Sequence, residues 1–600
     1  MRIKNIEISN FRSIDVGSIE CGDVTILIGR NNHGKSNILA ALDFFCGAGA
    51  KCKPNDFFKS NDARASELWV EVTFENLSTQ ESNTFSKYVS STGQLKVRKK
   101  AVLDDNDNIN ISYHGWLSEP KISWLKSEYT NTKKGELVKE LLDLLLKDTR
   151  YSKDSVSQAQ KSYIENNIDS IEFEYTLEDG NFLGRANVAS GILPDTFLIP
   201  AIRDLNEETK AKTNTLFGRL LNRAMGEMAK ADEGFRKVKE DLAKIVEKLN
   251  KANNGKDERP QQLKDLESNL EKELEDWDIK LGVKVTPPDI EKIFELGTAL
   301  EVDDGVVTLA EEKGNGLQRA IIFALTRSWA KALRQKDPEE ITPRGASESV
   351  YLLIEEPELY LHPHAQKVLA KSLRGIANTL HHQVFLCSHS PIFIDISKYR
   401  DIAIVEKKNK SSPSSIRQSK IQLFEGEGNK ERKNKFNLGH WINPERAEMF
   451  FARKVILVEG ATEKVLLPYL AEKLGVYDPT ISIVDTGSKF NLSVYMELAG
   501  SFEIPHIALH DEDPVDDKLE GDKLKSAQKT YAINSQLLEL RKKTNTQIEM
   551  VKPEFEILCG VSKSQGKSKG KPLAAMDHFE QLVAKDYPDE LTNLVKRLYD

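Results

Sequence analysis

The chain has 600 residues, 39% of them hydrophobic and 30% charged, an ordinary water-soluble composition with room for three or four domains that each bury a core. A formal net charge of −8 excludes a general polycation, so contact with nucleic acid has to rest on local basic patches or on metal ions. The five cysteines (Cys21, Cys46, Cys52, Cys387, Cys559) are scattered without zinc-like spacing, and neither an apolar signal core nor an apolar run of about 18 residues occurs, so reduced thiols, a cytoplasmic location and no membrane span are expected.

The opening segment Ile3-Lys-Asn-Ile-Glu-Ile-Ser-Asn10-Phe11-Arg12-Ser13 reads as strand and turn, and Val24-Thr-Ile-Leu-Ile28 as a buried strand. Gly29-Arg-Asn-Asn32-His-Gly34-Lys35-Ser36 follows directly, ahead of the helical spacing of Asn37-Ile-Leu-Ala-Ala-Leu-Asp-Phe-Phe45. Strand, glycine loop and helix are the setting a P-loop requires, which a chance glycine-rich turn would lack. Gly29, Asn32, Gly34, Lys35 and Ser36 are the candidate nucleotide contacts. The glycines let backbone N–H groups close on phosphates, Lys35 reaches the β and γ phosphates, and Ser36 offers Mg²⁺ an oxygen.

Residues 65 to 200 are mostly strand-like, as at Leu68-Trp-Val-Glu-Val-Thr-Phe74, Leu95-Lys-Val-Arg98 and Phe197-Leu-Ile199, with a helical piece over 136–146. They read as sheet scaffold. From 205 to 280 the pattern changes: Phe235, Val238, Leu242, Ile245 and Leu249 recur at steps of three and four, and Leu263, Leu266, Leu270 and Leu274 resume the spacing after a polar break. Two such seams predict a helical hairpin, which packs on its own body or pairs with a second chain; dimerisation is the expectation.

Gly314-Asn-Gly316-Leu-Gln318 then opens an apolar helix whose N-terminus can face an anion. Val350-Tyr-Leu-Leu-Ile354-Glu355-Glu356 is a buried strand ending in acids, as a Walker B element must be. Glu355 is placed to hold the Mg²⁺ shell and Glu356 to polarise an attacking water. Gln383-Val-Phe-Leu-Cys-Ser388-His389 is a further strand whose exit carries a histidine suited to sensing a γ-phosphate. The basic stretches at 407–435 and 563–569 are solvated connectors or DNA contacts.

Val455-Ile-Leu-Val-Glu459-Gly460-Ala-Thr-Glu463 delivers one carboxylate into a glycine turn and a second one helical turn later, and the apolar run before His510 ends in Asp511-Glu-Asp513. Clustered acids at strand ends are costly unless neutralised, and Mg²⁺ is the ordinary partner of an all-oxygen site.

In order, these motifs resemble the ABC-type ATPase heads of the SMC and RecF kind, with helices inserted between P-loop and signature. The signature keeps only a glycine pair, of which Gly316 is one, and Gln318. An ABC head followed by the acidic motifs resembles the OLD (overcoming lysogenization defect) family, which joins an ABC ATPase to a C-terminal Toprim domain and acts as a metal-dependent nuclease. The resemblance implies an α/β architecture: ATPase head at 1–204 and 286–405, helical insertion at 205–285, linker at 406–450 and Toprim nuclease domain at 451–600.

It also implies that Glu459, Glu463, Asp511 and Asp513, with Glu556 (or Glu554), hold two Mg²⁺ or Mn²⁺ ions, that Lys571 stands at the nuclease centre, and that ATP binds with one further ion. DNA, a homodimer or higher homo-oligomer, and a second defence component such as a retron reverse transcriptase with its DNA–RNA hybrid are the implied partners, in an antiphage role. An SMC-like DNA-binding ATPase with a silent Toprim domain is the alternative, and a topoisomerase-like or primase-like enzyme a further one.

Overall fold

The computed structural model describes residues 1–47, 52–60, 63–90, 92–133, 136–145, 152–167, 170–184, 192–201, 215–250, 259–274, 281–285, 298–334, 349–378, 382–409, 411–423, 444–516, 518–561 and 570–600. Two compact units are present, Met1–Ala201 with Ile341–Asp600, and Ile202–Glu340. Among the described residues no helix is long and apolar enough to cross a membrane.

In the first unit, β1 (Arg2–Phe11) and β2 (Ile14–Glu20) precede the P-loop strand β3 (Val24–Ile28) and helix α1 (Lys35–Cys46). Strands β4 (Glu67–Glu75), β5 (Leu95–Leu103), β6 (Ile109–Pro120) and β7 (Phe173–Leu177) complete an antiparallel sheet in the order β2-β1-β4-β5-β6-β7. Ile6 pairs with Val72 and Ile8 with Val70, all four buried, so one face turns inward.

A second sheet carries the nucleotide motifs. It contains β8 (Asp195–Ile199), β9 (Val350–Glu355), β10 (His382–Cys387), β11 (Ile402–Glu406) and β12 (Ser415–Gln418) in the order β8-β9-β10-β3-β11-β12, parallel except for β12. Strands buried on both faces need continuous apolar runs, which Val24–Ile28 and Val350–Ile354 supply. Helix α1 lies in the core that joins the two sheets, where Phe45 meets Phe74 and Tyr113 at ring separations of 6.1 and 6.0 Å. Buried Gln383 ties them further: Ile3 N–H donates to Oε1 at 2.6 Å, and Nε2 donates to Ile3 O at 2.8 Å.

The scaffold region departs from expectation in one place. Of the helix expected over 136–146 the described part is Lys139–Leu144, and a further helix, α2 (Lys153–Asn166), has no counterpart in the sequence reading. That helix is rich in Ser, Gln and Lys and buries little beyond Val156 and Ala159, so its apolar period is faint, while Ser152 and Ser155 form its reciprocal N-terminal cap.

The second unit holds helices Leu216–Ala231, Glu233–Leu249, Gln261–Glu273 and Asn315–Arg334. The expected seam residues fall on the second and third of these, with Leu274 as a cap. Val238, Ile245, Leu266 and Leu270 are nevertheless exposed. Polar groups hold the region instead: Arg259 makes a bidentate pair with buried Glu267, and Asn250 bonds both the N–H and the carbonyl of Val285.

The C-terminal part of the first unit is a third, parallel sheet. It runs β13 (Lys454–Val458), α3 (Ala461–Leu474), β14 (Ile481–Asp485), α4 (Lys489–Ser501), β15 (His506–Asp511), α5 (Gly521–Thr544) and β16 (Gln547–Val551), followed by helices α6 (Lys571–Glu580) and α7 (Asp589–Tyr599). The strand order is β14-β13-β15-β16. The chain leaves β13 toward one side and returns as β15 on the other, so the crevice at their carboxyl ends is the switch point where parallel sheets bind ligands.

Candidate active sites

The P-loop is bent by residues that tolerate a left-handed backbone. Asn32 has φ +63° and Gly34 φ +103°, and a Cβ on Gly29 would stand 2.1 Å from the Val405 carbonyl oxygen, which only glycine avoids. Lys35 is buried, and its Nζ donates to Gly29 O at 2.9 Å and Arg30 O at 3.0 Å. Asn32, Gly34, Lys35 and Ser36 line a cleft of about 540 Å³ together with Glu356 and Lys407.

Glu355 ends β9 in register with Cys387, and its Oε2 accepts from Ala201 N–H at 3.2 Å. Glu356 follows at φ +42° and donates its N–H to Cys387 O at 2.7 Å. His389 Nε2 stands 4.0 Å from Glu356 Oε1. Burial, and then the Lys35 charge, lower the His389 pKa and keep the ring neutral. Glu358 shapes this exit by accepting from Ser388 Oγ at 2.9 Å and His389 N–H at 2.5 Å.

Sequence reasoning did not single out Glu358, and it placed Lys407 in a connector. Gly316 and Gln318 belong to the second unit. Gly316 lies in the first turn of Asn315–Arg334, and Gln318 Nε2 fastens the preceding turn through Glu311 O and Lys313 O at 2.9 and 2.8 Å.

In the third sheet Glu459 leaves β13, Glu463 sits in the first turn of α3, Asp511 ends β15 and Asp513 lies two residues on. Asp511 N–H donates to Glu459 Oε1, and Asp511 Oδ1 accepts from Phe555 N–H, both at 2.8 Å. Glu556, the buried member of the 554/556 pair, accepts from Thr462 Oγ1 at 3.2 Å and meets Lys571 Nζ at 3.0 Å.

Burial, joined by neighbouring carboxylates and opposed by the backbone donors, pushes Glu459 up to about 7 and Asp511 up to about 8; burial also raises Glu463. Acids gathered and buried in this way, all oxygen in their donors, fit a hard divalent cation. Among the described residues, no three side chains already form a cage for one ion as they are placed. Lys489, which follows the glycine turn Asp485-Thr-Gly487-Ser488 and was not singled out from the sequence, reaches into the same place: it is 2% exposed and pairs with Asp513 Oδ2 at 2.9 Å. That glycine turn is also held from the ATPase side, because Arg446 Nε donates to Asp485 O at 2.6 Å from the short helix Pro444–Ala447, which packs against Pro391–Phe393 just after His389.

Comparison with known proteins matches residues 1–394 to an AAA ATPase domain and 450–513 to the TOPRIM domain of overcoming lysogenization defect protein-like chains. The OLD nuclease of Thermus scotoductus is 26% identical over 297 residues, 48% of this chain and 52% of that one. The Old nuclease of Escherichia phage P2 is 23% identical over 515 residues, 83% and 76% of the two chains.

The chain belongs to the AAA ATPase domain family and carries a segment like the TOPRIM domain of overcoming lysogenization defect proteins. It spans about half the length of the Thermus relative in their alignment. The solved SMC head bound to the C-winged helix domain of ScpA is 14% identical and covers 69% of this chain and 97% of its own, with a TM-score of 0.33. The architecture is α/β, an AAA ATPase domain over residues 1–394 followed by a Toprim domain.

The raised carboxyl pKa values have a measurable sign. Folding makes Glu459 and Asp511 hold protons that the unfolded chain gives up near pH 4, so their contribution to stability falls as pH climbs through about 7 to 8. A divalent ion competes for the same oxygens. The stabilisation on adding Mg²⁺, read as a rise in melting temperature, is therefore expected to be larger at about pH 8.5 than at about pH 5.5, its free energy approaching ~2.7 kcal/mol at about 100 times Kd. Calorimetry at the two pH values checks it, and an equal shift at both contradicts it.

Proposed function

We propose that this chain is an ATP-binding, divalent-metal-dependent DNA endonuclease of the OLD type, an antiphage effector whose cutting is controlled by nucleotide or by a partner. The observation that carries this is the convergence of Glu459, Glu463, Asp511 and Glu556, raised in pKa or buried, at the switch point of a parallel sheet. Bound Mg²⁺ or Mn²⁺, two ions in this proposal, lowers the pKa of an attacking water and neutralises the leaving oxygen. Glu459, Glu463, Asp511 and Asp513 hold the metal with Glu556 in support, and Lys571 faces the charge of the phosphate. In the head, Ser36 and Glu355 serve the nucleotide's own ion, Glu356 orients water, and Gly316 and Gln318 serve as signature residues.

Control by nucleotide is supported by the path from His389 through Pro391–Phe393 and Pro444–Ala447 to the Asp485 turn. A second defence component, such as a retron reverse transcriptase with its DNA–RNA hybrid, is the alternative trigger. Self-association is supported by the exposed Val238, Ile245, Leu266 and Leu270. Ile245→Glu combined with Leu266→Glu is expected to shift the oligomer to a smaller species in light scattering; an unchanged mass would remove these seams from the interface.

Incubation of the full chain with supercoiled plasmid and Mg²⁺ or Mn²⁺, with and without ATP, tests the nuclease. Nicked or linear product is expected. One observation favours a silent Toprim domain instead, namely that no three described side chains form a ready cage for an ion. Intact plasmid under every nucleotide condition, with ATP still hydrolysed, decides for that alternative.

A further inference from the structure

Lys489 occupies the first position of α4, where the helix dipole disfavours a cation, and no acidic side chain in that turn offsets it. It is also one of the most enclosed charges in the unit, at 2% exposure. Its Nζ donates to the backbone carbonyl of Asp511 and, at 2.9 Å, to Asp513 Oδ2. Asp513 itself takes φ +49°, a left-handed backbone that aspartate tolerates, and the Lys489 contact sets the direction of its side chain. On the other flank Lys571 holds Glu556 Oε1 at 3.0 Å, while Glu556 Oε2 is buried with no hydrogen-bond partner among the described residues. Two of the candidate metal ligands are thus committed to ammonium groups.

Resting on the proposal that this centre is a two-ion nuclease site, we infer that Lys489 is a latch on it. The lysine keeps Asp513 from the metal until a nucleic-acid phosphate enters. The ammonium then passes from the carboxylate to the non-bridging oxygens of the phosphate, and Asp513 becomes available as a ligand. Carboxylate and phosphodiester are both anionic acceptors for a lysine N–H, so the exchange trades one charge-assisted bond for another, with no proton or electron transferred. The Asp511 carbonyl, which keeps its own bond to Nζ, anchors the lysine during the exchange. Linkage makes the effect reciprocal: DNA tightens metal binding by the factor that metal tightens DNA binding. Cutting is thereby restricted to occasions when substrate is already seated.

The test is Mn²⁺ binding to the full chain, read from the electron paramagnetic resonance of free Mn²⁺, with and without a short phosphorothioate duplex. The same duplex with Asp511→Ala subtracts the ions held by DNA alone. Wild type is expected to bind Mn²⁺ about tenfold more tightly with the duplex. Lys489→Met is expected to reach that tighter affinity without DNA and to gain little when DNA is added, whereas Lys489→Arg behaves like wild type. The latch is overturned if the duplex leaves the wild-type affinity unchanged, a measurement that stands even if Lys489→Met does not fold, or if Lys489→Met without DNA binds no more tightly than wild type. Failure of the nuclease proposal is a separate result: no Mn²⁺ bound above the Asp511→Ala background under any condition, with plasmid left intact.

Discussion

Asp511→Asn is expected to raise the melting temperature measured in EDTA while lowering DNA cleavage by at least roughly 10³-fold, about 4 kcal/mol of transition-state stabilisation. The two effects have one origin. Asp511 ends a buried strand against Glu459, with Glu463 and Asp513 contributing further like charge, and its pKa is pushed up to about 8, chiefly by burial. The carboxylate charge is therefore a burden on the fold that only a cation relieves. The asparagine carbonyl can still accept from Phe555 N–H, as Oδ1 does at 2.8 Å, so the local backbone keeps its partner while the charge disappears. The gain in stability should be greatest above about pH 8 and fade toward pH 5, where the native acid is protonated as well. ATP turnover should stay within a few-fold of wild type. Full cleavage by Asp511→Asn, or a loss of stability in EDTA at high pH, would remove Asp511 from the metal centre.

Lys35→Ala is expected to weaken ATP binding by about 10²-fold, the loss of roughly 2.7 kcal/mol from charge-assisted contacts to phosphate, with ATP hydrolysis abolished. Isothermal titration against a slowly hydrolysed analogue measures it. The buried ammonium now spans Gly29 O and Arg30 O, so part of its task is to hold the loop shape, and alanine strands both carbonyls. Cleavage in the presence of Mg²⁺ should persist in Lys35→Ala but lose its response to nucleotide. Nucleotide affinity equal to wild type would show that the cleft beside Glu356 and Lys407 is not where ATP binds.

What was legible in the sequence was what is written locally. The P-loop, the acidic end of Val350–Glu355 and the pair Glu459 and Glu463 each follow an apolar strand within a few residues, and strand-then-loop is a short-range signal. The strand orders were not legible, because β3 takes neighbours that come much later in the sequence, at His382–Cys387 and Ile402–Glu406. Lys489 was passed over for a related reason: a lysine after Thr-Gly-Ser reads as turn chemistry, and its partner Asp513 lies on another strand exit. Lys407 was hidden in a basic stretch whose composition suggests a connector, yet it lines the cleft beside Lys35 and Glu356. The helix Lys153–Asn166 lacked a strong apolar period, so burial of Val156 and Ala159 could not be foreseen.

The position of β3 between β10 and β11 also dictates an order of events during synthesis. Val24–Ile28 is made early, but its two parallel neighbours are residues His382–Cys387 and Ile402–Glu406. At ribosomal rates of about 5–20 residues per second, the strand waits roughly 20 to 75 s for them. Through that interval an apolar strand that will be covered on both edges has both edges open, the condition under which unpaired strands join the wrong partner. A nascent chain of this protein is therefore expected to lean on chaperone shielding until residue 406 has emerged, and only then to acquire a pocket that nucleotide can stabilise.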